Sequence, residues 1–349
     1  MVGSASSPRR YIRHYSETDG AKANATQTGF TCDNVVNFEL VTSTGLVLEV
    51  NALLFPQLFK ALKGGSNNFG VVTRFDFSTF EQGNLWGGQV VYPPTTATSQ
   101  YNALYNLIQN TGNIMNPPED AQVILAYVNG VPSGNIFANY YTYTAPQPWP
   151  SQLVEFQAIE PVYVDTTRIA NLTSFTNELA TGTPNGQYYV FGTMTFEVNE
   201  NFMFYLRTLT DEVFGPFIAN VTDPALQVSM VLQPLTKAMT AHGCNKNSLG
   251  LCPSEGNLVI LDLTVSWVLE SNEALLTALS TAFVDKATAA AQQQGILNEY
   301  IYLNYALSSQ NPIASYGSSN LANMRAVSKL FDPTQAFQRL VPGGFKLYK

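Results

Sequence analysis

The chain has 349 residues, of which 45% are hydrophobic and only 12% charged, with a formal net charge of −8 at pH 7. That balance excludes intrinsic disorder, which needs low hydrophobicity and high charge. It also argues against nucleic acid as a partner, since the one basic patch, Arg9, Arg10 and Arg13, sits in a polar tail. The length suits one large domain or two closely packed ones, and without a run of about 18 apolar residues no membrane-spanning helix is expected.

Residues 1–28 are small, polar and basic without apolar periodicity, and a flexible segment is expected there. Cys32–Val41 and Leu46–Val50 read as two strands around a Thr44-Gly45 turn. A short helix follows with Pro56 in its first turn, where the missing N–H costs nothing. Gly64, Gly65 and Gly70, with Asn67 and Asn68, mark a turn that admits positive φ, and the run to Phe80 reads as a strand. Leu85–Tyr92 is a strand closed by Pro93-Pro94. Tyr101, Leu104, Tyr105 and Ile108 recur at helical spacing within 98–115. Ala121–Val128 and Ile136–Tyr143 flank an Asn129-Gly130 … Ser133-Gly134 turn and predict a hairpin. A helix is expected over Ile169–Leu179, capped by Asp165-Thr166-Thr167, then a strand over Gln187–Phe196, a helix over Asn199–Gly215 and a strand over Gln227–Gln233. Leu258–Val268 reads as a central strand. Glu270–Gln294 is a long helix with Leu275, Leu279 and Ala282 or Phe283 facing inward. Tyr300–Tyr305 reads as a strand, and Ser318–Phe331 as the final helix. Antiparallel strands interrupted by helices indicate an α+β fold.

Two histidines and three cysteines without HExxH or paired CxxC spacing give no metal site, and no G-x-S-x-G elbow is present. Cys244 and Cys252 are near enough in sequence to close a small loop, leaving Cys32 unpaired, but three cysteines define no framework. Acceptor triplets for N-glycosylation occur at Asn24, Asn171 and Asn220. Secretory passage and a cytoplasmic location both stay open.

The run Leu58-Phe59-Lys60-Ala61-Leu62-Lys63-Gly64-Gly65-Ser66-Asn67-Asn68-Phe69-Gly70-Val71-Val72, the Cys32-Asp33-Asn34-Val35 segment, Tyr302-Leu303-Asn304-Tyr305 and the terminal Phe331-Asp332-Pro333 fall in one order along the chain. Together they resemble the fungal FAD-linked oxidoreductases of the berberine bridge enzyme-like family, with the vanillyl-alcohol-oxidase-type fold. The resemblance begins near Gly29. It implies a remnant of the FAD-binding (PCMH-type) lobe over residues 29–90, a substrate lobe built on a large antiparallel sheet flanked by helices over 91–300, and a C-terminal segment, 301–349, returning to the first lobe. In the family an N-terminal half-lobe holds the FAD diphosphate, and residues 1–28 contain neither of its glycine-rich loops. Gly64, Gly65, Asn68 and Gly70 are therefore read as vestigial, and no cofactor is expected.

The same resemblance places Tyr302 and Asn304 against the substrate, with Gln233 and His242 as further donors. Tyr189, Phe191, Thr193, Lys237, Asn247 and Trp267 are expected to line the pocket, although each also admits a packing role. An aromatic cleft with a few donors, lacking a nucleotide grip, suits a cofactor-independent cyclase of fungal secondary metabolism. Such a catalyst would hold two hydrophobic or aromatic partners face to face for a hetero-Diels–Alder-type addition. The alternatives are an FAD-dependent oxidoreductase, which a yellow preparation would reveal, and a small-molecule carrier. A homodimer is an open option.

Overall fold

The computed structural model describes residues 25–115, 117, 120–130, 134–181, 184–220 and 223–348. Most of the expected flexible segment, including Asn24 of the first acceptor triplet, and Ser133 lie outside them. The last four residues of that segment differ from expectation: Ala25–Thr28 is a helical turn (α1) with Ala25 and Thr26 buried. Polar groups far along the chain pin it. Asp120 Oδ2 accepts the Thr26 N–H at 2.8 Å, and Gln122 Nε2 donates to Thr26 Oγ1 at 2.9 Å.

The first lobe is a three-stranded antiparallel sheet of β1 (Val35–Val41), β2 (Val47–Asn51) and β3 (Val71–Phe77), in the order β2-β1-β3. Helix α2 (Pro56–Leu62) starts with proline and buries Leu58, Phe59, Ala61 and Leu62. Phe38 meets both Phe59 and Phe75 edge-on, which closes this small core.

β4 (Leu85–Tyr92) leaves that lobe. It pairs with β6 in the large sheet rather than with β1–β3. Helix α3 (Ala97–Thr111) follows, then the hairpin β5 (Ala121–Asn129) and β6 (Ile136–Tyr143), a short helix α4 (Val154–Gln157), β7 (Val164–Asp165) and β8 (Arg168–Ala170). Helix α5 (Leu172–Thr181) starts later than expected: Asp165 Oδ1 instead accepts the Thr167 N–H in the β7–β8 turn, and Asn171 Oδ1 accepts the Ser174 N–H. β9 (Tyr188–Glu197), α6 (Glu200–Ile218, capped by Asn199), β10 (Gln227–Leu235), α7 (Lys237–Gly243), β11 (Leu258–Trp267), α8 (Glu273–Gln293) and β12 (Leu297–Asn298) complete the large sheet and its helices. Helices α9 (Ser318–Phe331) and α10 (Ala336–Arg339) end the chain.

The large sheet runs β12-β9-β11-β10-β5-β6-β4-β7, with β8 also on β4. One face carries Val259, Leu261, Leu263, Val265 and Trp267 of β11, with Val228, Met230 and Leu232 of β10, into a core with α3, α6 and α8. Period-2 alternation then sends Ile260, Asp262, Thr264 and Ser266 to the other face. On α8 Phe283 is buried and Leu279 packs against the core as expected, with Leu276, Ser280, Val284, Ala287 and Ala291 also buried, while Leu275 is 49% exposed and Leu276 takes its place in the inward stripe. Tyr300–Tyr305 is not a strand, because Leu303–Tyr305 closes a 3-10 turn. This segment packs with Ile313, Tyr316, Met324, Val327 and Leu347 on the first lobe.

Candidate active site on the second face of the large sheet

The face turned away from α3, α6 and α8, covered only at its β5–β6–β4 end by α5, brings polar and aromatic side chains together by register. Asp262 sits on β11 between Thr193 of β9 and Val231 of β10. The neighbouring rows hold Phe191, Thr264 and Ser229 on one side, and Thr195, Ile260 and Gln233 on the other. Thr264 Oγ1 lies 3.2 Å from both Asp262 oxygens, and the aspartate is 3% exposed. A carboxylate buried at the centre of a sheet is costly unless it is bonded or used. Asp262 is not among the residues that the sequence points to. Its one signal was a charged residue inside an otherwise apolar β11 run.

Aromatic rings lead from this face into the first lobe. Tyr189 and Phe191 stack at 6.2 Å, and Phe191 and Tyr305 at 6.3 Å, both nearly parallel. Tyr302 meets Tyr305 edge-on at 4.9 Å and Phe30 at 6.4 Å. Asn304 Nδ2 donates to the Tyr302 hydroxyl at 2.9 Å. These two were expected to share a strand face; the turn joins them instead. Gln310 secures the turn, accepting the Leu307 N–H at 2.9 Å and donating to the Thr193 carbonyl at 2.7 Å. Across β10, β5 and β6 a small pocket is lined by Gln122, Ile124, Tyr140, Thr142, Gln233 and Leu179 of α5.

Gln233, Tyr189, Phe191, Thr193, Tyr302 and Asn304 thus converge. The other expected residues do not. Trp267 has odd parity on β11, lies on the helix-covered face and stacks on Tyr188 at 5.8 Å. Lys237 lies past the end of β10, its backbone N–H on Asn257 Oδ1. His242 Nε2 donates to the Thr26 carbonyl at 2.9 Å, and Asn247 Nδ2 to Asp33 Oδ1 at 2.7 Å. Both hold the segment before β1, so neither stands open as a donor. Asp33 also accepts the Phe30 N–H. Burial pushes its carboxyl above the usual range, against the opposing pull of Asn247, the Phe30 N–H, Lys63 and His242. Cys244 and Cys252 are disulfide-bonded, and burial pushes the free Cys32 thiol up to about 12.

The glycine turn is filled by the protein itself. A Cβ on Gly64 would meet Leu249 at 2.7 Å, one on Gly65 the Ala61 carbonyl at 2.2 Å, and one on Gly70 the Val41 carbonyl at 2.7 Å. Asn68 donates to the Gly65 and Phe345 carbonyls and accepts from Gln338. Asn68 thus seats the C-terminal segment, and the three glycines admit close packing by the protein's own groups, which leaves no open diphosphate cradle there. No group of three or more metal-ligating side chains occurs among the described residues.

No family profile matches the chain. It is 36% identical over 330 residues to the FAD-dependent monooxygenase sdcF of Emericella nidulans, covering 93% of this chain and 67% of that protein. It is 30% identical to the FAD-dependent monooxygenase elcE of Phaeosphaeria nodorum, covering 91% of this chain and 94% of that protein. Among solved structures, 6-hydroxy-D-nicotine oxidase from Arthrobacter nicotinovorans matches with a TM-score of 0.66 at 16% identity, over 90% of this chain and 67% of that one. Berberine bridge enzyme from Eschscholzia californica matches with a TM-score of 0.64 at 12% identity, over 90% of this chain and 66% of that one. The chain belongs to the berberine bridge enzyme-like family of FAD-linked oxidoreductases.

This berberine bridge enzyme-like chain spans 63% of another relative, the FAD-dependent monooxygenase FUP4 of Fusarium proliferatum, of which it covers 329 residues at 31% identity. Its residues fit a flavin at one end. The aromatic turn and the polar sheet face offer a wall for a flat ring, and Thr31 Oγ1, beside Phe30, is buried with no hydrogen-bond partner of its own. The filled glycine turn does not fit the diphosphate end. No helix among the described residues is long and apolar enough to cross a membrane.

Proposed function

We propose that this chain supplies the substrate-binding face of a flavin-dependent oxidation of a flat, hydroxylated aromatic molecule in secondary metabolism. The observation that carries the reading is Asp262, a buried carboxylate beside the parallel Tyr189–Phe191–Tyr305 rings. A planar substrate gains apolar burial and offset stacking on such a row. Asp262 takes the proton of a substrate hydroxyl, which raises the electron density of the ring it is attached to. Gln233 and Tyr305, already bonded to each other, present donors to the substrate oxygen. A bound flavin supplies the two-electron acceptor.

The cyclase reading rested on the lack of a nucleotide-binding half within the chain. Relatives bearing the name FAD-dependent monooxygenase, one of them matched over 94% of its own length, weaken that premise. The family similarity therefore favours the oxidoreductase alternative. The deciding experiment is the absorption spectrum of the protein isolated from its source, followed by anaerobic addition of polycyclic phenols. Flavin bands that bleach with substrate support the reading. A colourless preparation that joins two substrates with stereoselectivity above the spontaneous reaction overturns it in favour of the cyclase.

A further inference from the structure

The structure separates three acceptor triplets that look equivalent in sequence. Asn24 and Thr222, the third residue of the Asn220 triplet, lie outside the described residues. The Asn220 amide nitrogen is engaged, donating to the Pro216 carbonyl at 2.7 Å. Asn171 is held differently. It stands exposed between β8 and α5, and its Oδ1 accepts the Ser174 N–H at 3.0 Å. That bond uses the oxygen and not the nitrogen, the atom that glycosylation needs, on an exposed residue. Thr173, the third residue of the triplet, is exposed as well.

A second observation is independent of the triplet. The Cys244–Cys252 disulfide belongs to a chain folded under oxidising conditions, such as those of the secretory route where N-glycans are added. A third is the position. β7 and β8 form an outer edge of the large sheet, and Tyr163, Val164 and Ile169 are exposed there, which makes an edge open to unwanted pairing. A bulky polar group two residues beyond Ile169 would shield it. Leu179, which lines the pocket, is eight residues beyond Asn171 along α5, about 12 Å away at the helical rise. A glycan on Asn171 therefore leaves the pocket clear.

We propose that Asn171 carries an N-linked glycan, acquired during passage through an oxidising secretory compartment. The donor is a lipid-linked oligosaccharide pyrophosphate. Asn171 Nδ2 forms a bond to the anomeric carbon as that carbon's bond to the pyrophosphate oxygen breaks. One amide proton is released, and the lipid pyrophosphate leaves.

The test is intact mass and peptide mapping of the protein isolated from its source, before and after enzymatic deglycosylation. The expected result is a heterogeneous mass above that of the polypeptide, collapsing on treatment with aspartate read at position 171. Thr173→Ala, which keeps the Asn171 cap on Ser174, should abolish the modification without disturbing the fold. An unmodified Asn171 peptide, or free thiols at Cys244 and Cys252 in the same preparation, would overturn the proposal.

Discussion

Gln233 Nε2 donates to the Tyr305 hydroxyl at 3.2 Å, tying the middle of the large sheet to a turn 72 residues further along the chain. The bond is buried on both sides, and Tyr305 is at the same time the inner ring of the aromatic row. Tyr305→Phe keeps the ring and removes the hydroxyl. It should lower stability by about 1 kcal/mol, the net worth of one such bond. Turnover should fall further than stability does, because the donor pair also meets the substrate. Urea midpoints measured beside steady-state rates separate the two effects; equal losses would assign the bond to folding alone.

Asp262→Asn conserves shape and removes the negative charge. If the carboxylate takes the substrate proton, kcat should drop about 10²–10⁴-fold while the melting temperature moves little. A variant with full activity removes Asp262 from the mechanism.

Asp120 is buried beneath α1, and burial pushes its carboxyl up to about 6 against the opposing bonds from Gln122 and Thr26. Below about pH 4 both folded and unfolded chains hold this proton. Between about pH 4 and 6 the unfolded chain releases it and the folded chain retains it. Stability attributable to Asp120 therefore falls as pH rises through that window, by an amount on the order of 3 kcal/mol. Asp120→Asn should lose the decline, so the difference between the two proteins' urea midpoints should shrink from pH 6 to pH 4. A constant difference would refute the assignment.

The disulfide closes a loop whose inner residues grip the first lobe. Asn247 bonds Asp33, the Ser248 N–H bonds the Lys63 carbonyl at 2.9 Å, and Ser248 Oγ bonds the Lys60 carbonyl at 2.9 Å. Replacing both Cys244 and Cys252 with serine should cost about 2.5 kcal/mol from the entropy of so short a loop. Reductant should lower the melting temperature of the native protein and leave that of the double variant unchanged.

Strands and helices with a clean period were legible from residues alone. β4 and α9 match their expected limits, and β11 is central, because alternation and helical spacing are local properties of the chain. The Tyr302–Tyr305 segment misled, since its aromatic residues suit a strand while the turn depends on packing against Phe30 and Gln310. Trp267 misled through parity: one position along β11 separates the helix-covered face from the face of Asp262.

The residue order is enough to establish an α+β chain of this family, with its antiparallel strands and its glycine turn. It could not say which polar residues would meet. Gln233, Asp262, Phe191 and Tyr305 come from separate segments, and only strand register and the docking of the C-terminal turn put them on one surface. Nor could it show that the space beside Gly64 and Gly70 is taken by Leu249 and Val41, because that close packing is a relation between distant parts of the chain.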